Sequence, residues 1–183
     1  MAPGQTVRMR VAALLRGINI GPSKRISMPA LREIVESLGH RDVETYLQSG
    51  NVVFTPAKGA RRNLGPALEA ALANATGLEV AVLVRTDREL ADIVSANPYT
   101  VDDPTRIVVA FLGKAVAPSR LGLGDLGSYA PDELTQIGRE LFISVPNGQG
   151  RSKLMEALTR RRMPTVITVR NWRTVVALAE MTS

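Results

Sequence analysis

Cysteine is absent from these 183 residues, which excludes disulfides, thiol nucleophiles and thiolate metal sites together. A single histidine, His40, removes most imidazole-based metal centres and acid–base relays. Aromatics make up only 4%, too few for a surface that stacks nucleobases. Long apolar runs are missing as well: Val11 to Leu15 is too brief for a signal peptide or a membrane span. These absences lead to the expectation of a cytoplasmic protein with no metal, no cofactor and no membrane partner. Any chemistry must come from arginine, lysine, carboxylates, amides and hydroxyls.

At 45% hydrophobic, the chain has enough apolar side chains for one substantial core or two small ones. Net charge is +6, and it is segregated along the sequence. Residues 8–32 carry six Arg or Lys and no acid, and residues 147–173 carry seven against Glu156 alone. The stretch between them is net acidic. Two separated basic segments suggest an anionic partner, although a solvated basic surface reads the same way.

Periodicity places the elements. Val7 to Leu15 reads as a strand, and Gly17, Gly21 and Pro22 force a loop after it. Ser27 caps a helix over Met28 to Leu38, which Gly39 ends, and His40 beyond it reads as a surface residue. Val43 to Gln48 and Val52 to Thr55 form a hairpin about Ser49-Gly50-Asn51. A helix over Asn63 to Thr76 and a strand over Leu78 to Val84 complete the order βαββαβ. Thr86 and Glu89 make a capping box for a linking helix, 86–96. The second half repeats the order: a strand Arg106 to Leu112, a glycine-spaced helical segment Pro118 to Leu126, hairpin strands Leu134 to Ile137 and Glu140 to Val145, a helix Ser152 to Arg162 and a strand Thr165 to Val169. A last helix, 172–181, has Trp172 as a core anchor.

The order predicts an α+β protein of two tandem ferredoxin-like modules with antiparallel sheets. Residues 1–6 are expected to be a flexible tail, 7–85 the first module, 86–103 a linking helix and loop, and 104–183 the second module with the C-terminal helix. In this topology the exit of the first strand and the central hairpin turn fall at one end of the sheet. Arg16, Asn19, Lys24 and Arg25 should therefore meet Gln48 and Asn51. In the second module Asn147, Gly148, Gly150, Arg151, Ser152 and Lys153 should meet Arg170 and Asn171. Each corner pairs arginine forks and amides with glycines that let backbone N–H groups approach an anion.

The segment Asn147-Gly-Gln-Gly-Arg-Ser-Lys153 resembles a phosphate cradle before a helix N-terminus, with Gly148 and Gly150 leaving N–H groups free and Gly150 at positive φ. It lacks the spacing of a P-loop, and Lys153 stands where a dinucleotide motif needs its third glycine. A tight strand-to-helix turn capped by Ser152 or Gly150 explains the same residues without a ligand. Ser152 and Lys153 do not form a catalytic pair, because neighbouring helical residues point about 100° apart. The arginine run 160–162 fits a helix C-terminus as well as it fits a phosphate.

Four motifs in order, LLRGIN (14–19), LQSGNVVF (47–54), PNGQGRSKL (146–154) and RNW (170–172), resemble a bacterial family of uncharacterised proteins, domain of unknown function 1697. The resemblance spans almost the whole chain and implies two ferredoxin-like modules. The family pattern continues GIN with a small residue and two glycines, whereas here Gly21 is followed by Pro22, which removes one backbone donor from the loop. The leading expectation is a binding module for a phosphate- or carboxylate-bearing ligand. An enzyme acting on an anionic substrate, with Arg16 or Lys153 stabilising charge, is the alternative, as is a nucleic-acid-binding or partner-docking protein. Nucleic acid ranks behind a small anion because Val52-Val53-Phe54 lacks the spaced aromatics of an RNA-recognition strand. Oligomeric state is not legible.

Overall fold

The computed structural model describes residues 9–160 and 162–183. The tail expected over 1–6, the first two residues of the strand expected from Val7, and Arg161 lie outside the described residues. The protein is α+β, with two four-stranded antiparallel sheets and five α-helices among the described residues. It divides into two compact units, one running to Leu90 and including Leu178–Ser183, the other Ala91–Ala177.

In the first unit the elements run β1 (Val11–Leu15), α1 (Met28–Ser37), β2 (Arg41–Tyr46), β3 (Asn51–Thr55), α2 (Leu64–Thr76) and β4 (Val82–Thr86). The sheet order is β2-β3-β1-β4. Ser27 starts α1 as expected, its hydroxyl accepting from the Ala30 N–H at 3.2 Å. Leu31, Ile34 and Val35 of α1 and Leu64, Leu68 and Leu72 of α2 are buried on one core with Val11, Ala13, Leu15, Val52 and Phe54. Each such leucine contributes about 1.5–3 kcal/mol of transfer free energy.

His40 belongs to this core, contrary to its expected surface position. It is 5% exposed, and its ring stacks on Phe54 with centroids 4.6 Å apart. Nδ1 accepts from the Ala57 N–H at 3.0 Å, while Nε2 is buried without a hydrogen-bond partner among the described residues.

The helix α3 (Asp87–Ser95) opens with the expected capping box: the Glu89 N–H donates to Thr86 Oγ1 and the Thr86 N–H to Glu89 Oε2, at 3.2 and 2.8 Å. The second unit then contains β5 (Ile107–Leu112), β6 (Glu133–Ile137), β7 (Glu140–Ser144), α4 (Lys153–Arg160) and β8 (Ile167–Asn171), in the order β6-β7-β5-β8. The helix expected over Pro118 to Leu126 does not form. Two single 3₁₀ turns, Pro118–Leu121 and Leu126–Tyr129, stand there instead, because Gly122 and Gly124 between them both adopt left-handed φ. Val116, Leu121 and Leu123 cover the core in place of a helical stripe.

The final helix, α5 (Trp172–Thr182), begins in the second unit and ends in the first, whereas it was expected wholly within the second module. Trp172 is buried, as expected of a core anchor. In the first unit the Arg10 guanidinium donates to the Met181 carbonyl at 2.6 Å, and also to the Asp42 carbonyl and Glu44 carboxylate. Among the described residues no helix is long and apolar enough to cross a membrane.

Candidate functional site

The first corner forms where β1 leaves the sheet beside the start of β3, since Leu14 is opposite Asn51. The Leu15 N–H donates to the Gly50 carbonyl at 2.8 Å. Gly50 has φ +78°, and a Cβ there would come within 2.8 Å of the Leu15 Cβ and 2.9 Å of Ile18, so only glycine fits. The β1–α1 loop thus meets the hairpin turn as the topology required.

Half of the corner's candidate side chains are occupied in holding it together. Asn19 Nδ2 donates to the Ile26 and Gln48 carbonyls at 2.9 and 2.8 Å, and its Oδ1 accepts from the Ile26 N–H at 3.0 Å. Asn51 is fully buried, donating to the Tyr46 carbonyl and Ser49 hydroxyl. Lys24 Nζ donates to the Glu79 carbonyl at 2.9 Å. The side chains of Arg16, Arg25 and Gln48 are exposed. Of six residues singled out here, Asn19 and Asn51 are braces, Lys24 is a tether, and the other three face solvent.

The second corner lies at one end of its sheet, where β7 and β8 both finish: Ile107 is opposite Ser144 and Val108 opposite Asn171. Gly148 has φ +87° and ψ 153°, a conformation open to glycine alone, and its N–H is bound to the Val145 carbonyl at 2.8 Å. Both details correct the sequence reading, which left the Gly148 N–H free and assigned the positive φ to Gly150. Gly150 has no positive φ, and a Cβ there would meet nothing within 4 Å. Ser152 is the cap of α4, its buried hydroxyl accepting from the Met155 N–H at 2.9 Å. Asn147, Arg151 and Lys153 are exposed. Gln149, Gly150, Arg151, Ser152, Met155, Glu156 and Thr159 line a depression of about 410 Å³.

Arg170 and Asn171 contribute differently from expectation. Arg170 is 8% exposed, and its guanidinium donates to Thr168 Oγ1 and the Val169 carbonyl, both at 2.8 Å, on its own strand. Burial holds its pKa down to about 10. Asn171 accepts the Thr174 N–H at 2.9 Å and so caps α5. Arg106, which sequence reasoning passed over, lies against the turn instead: a Cβ on Gly148 would fall 2.7 Å from its Nη1. Nothing local marks Arg106, which simply precedes a strand. Among the described residues no group of three His, Cys, Asp or Glu side chains is placed to hold a metal ion.

A family described as "Protein of unknown function (DUF1697)" matches residues 9–142. No curated protein matches the chain. A solved structure of a conserved bacterial protein from Streptococcus pneumoniae superposes with TM-score 0.78 at 22% identity, covering 96% of this chain and 99% of that one. At that identity the likeness is one of fold.

Proposed function

The chain belongs to the DUF1697 family, whose description assigns no activity, and from that premise we propose that it is a cytoplasmic anion-binding module built from two ferredoxin-like repeats. The repeat reading is supported by the common strand arrangement, β2-β3-β1-β4 and β6-β7-β5-β8. The ligand site in this proposal is the depression at the start of α4. The observation that carries it is the placement of Gly150, Arg151 and Ser152 together on its wall, ahead of a helix N-terminus. Arg151 supplies a fork for phosphate or carboxylate, and Lys153 adds charge nearby.

The test is an amide chemical-shift titration with inorganic phosphate and with glycerol phosphate. Shifts at Gly150, Arg151 and Ser152, lost in an Arg151→Ala, Lys153→Ala double variant of unchanged melting temperature, are expected. Shifts scattered over every basic surface, or none at these three amides, would sink the proposal.

A further inference from the structure

The first corner presents a different kind of surface. Ile20 and Leu47 are the most exposed large hydrophobic residues among those described, at 75% and 56%. Each is the sequence neighbour of a partner in the Asn19 Nδ2 to Gln48 carbonyl hydrogen bond, so one 2.8 Å contact brings their two segments together. Leu47 is held at φ +56°, a conformation that costs a residue with a Cβ about 1–2 kcal/mol and that a glycine or asparagine would adopt more readily. Asn19 and Lys24 share it, so three of the four non-glycine residues with positive φ lie in these two segments. The Asn19 and Lys24 hydrogen bonds fix the frame, so docking here orders little that is mobile. Arg16 and Arg25 are exposed in the same loop, within a stretch of six basic residues and no acid.

An apolar pair beside arginines on a braced loop has the make-up of a protein interface anchor. We propose that this corner docks a segment of a partner protein that carries an apolar side chain between carboxylates, the apolar group resting on Ile20 and Leu47 and the carboxylates on Arg16 and Arg25. Charge complementarity selects this occupant. A second copy using the same patch would set arginines against arginines across a two-fold axis. Nucleic acid would find no aromatic face here on which to stack. Two aliphatic side chains offer far less area than the long amphipathic face of a membrane-surface helix. Docking on this corner of the first unit stands or falls apart from phosphate binding at the α4 depression of the second.

The test is fluorescence anisotropy of the full chain with a labelled peptide of glutamates around a central Leu-Phe pair. Two control peptides replace glutamate by lysine or Leu-Phe by Ser-Ser. Saturable binding of the first peptide alone is expected, weakened about tenfold or more by Ile20→Ser with Leu47→Asn, and similarly by Arg16→Ala with Arg25→Ala. Asn at 47 keeps the left-handed backbone, so the melting temperature should hold and a lost signal is not misfolding. Equal binding of the lysine peptide, no saturable binding, or insensitivity to the Ile20 and Leu47 changes overturns the proposal. So does co-sedimentation with phosphatidylserine vesicles, or self-association, that depends on the same side chains.

Discussion

Asn19 holds Gln48 across the first corner, its amide donating to the Gln48 carbonyl at 2.8 Å while the same side chain spans both backbone groups of Ile26. Three hydrogen bonds of about 1 kcal/mol each depend on one residue. Asn19→Ala is therefore expected to lower stability by about 2–3 kcal/mol in urea unfolding, and Asn19→Gly, which keeps the φ of +56°, by somewhat less. A loss within about 0.5 kcal/mol, the range of ordinary surface changes, would mean the loop is not braced through this side chain.

The two glycines of the second corner should respond oppositely to alanine. Gly148→Ala puts a side chain on a backbone that glycine alone adopts and pushes Arg106, for a cost of about 1–3 kcal/mol. Most of that is backbone strain, since the far end of Arg106 can swing aside. Gly150→Ala meets open space and should change the melting temperature little. Reversal of this order in thermal melts would contradict the geometry described for the turn.

Acidification should weaken the fold through His40. Burial lowers its pKa below 6.5, and a second proton would have to displace the Ala57 N–H from Nδ1. The unfolded chain takes up that proton below pH 6.5 and the folded chain resists it, so the stability is complete above 6.5 and is lost as pH falls toward the lowered folded value. Melting temperatures from about pH 8 to about pH 5 should fall in the wild type and fall less in His40→Phe. Parallel curves would assign the dependence to other groups.

Arg10 should be intolerant even of lysine. Its fork reaches the Met181 and Asp42 carbonyls and Glu44 at once, at 2.6, 2.8 and 2.6 Å, which a single ammonium cannot reproduce. Arg10→Lys is expected to cost about 1.5–3 kcal/mol, and hydrogen exchange should rise at the end of α5. Unchanged protection there would show that helix packing alone retains the C-terminus.

The strands, helices and caps were legible because Leu31, Val35, Leu68 and Leu72 repeat at helical spacing and Ser27, Thr86 and Glu89 cap where such residues cap. The meeting of the β1–α1 loop with the hairpin turn was legible too, since antiparallel pairing dictates it. The use made of the polar residues was not. An asparagine that completes a loop and one that binds a ligand offer the same donors and acceptors, so Asn19, Asn51 and Asn171 looked like site residues while serving the backbone. Arg170 read as a ligand-binding residue just past a strand ending at Val169, whereas it lies within β8, and its burial depends on packing that no local pattern encodes. His40 misled for a similar reason: its partner Phe54 lies across the hairpin on β3, the neighbour of the strand that His40 precedes.

The path of α5 also bears on how the protein is made. The first unit takes its last piece, Leu178–Ser183, from beyond the whole of the second unit, and Arg10 waits for a carbonyl 171 residues downstream. At about 5–20 residues per second a ribosome needs several seconds to synthesise the intervening unit. Throughout that interval the nascent first unit lacks its final segment. Folding of the first unit is completed only after the second has been synthesised, so a stop that removes Leu178–Ser183 damages the half of the protein that was translated first.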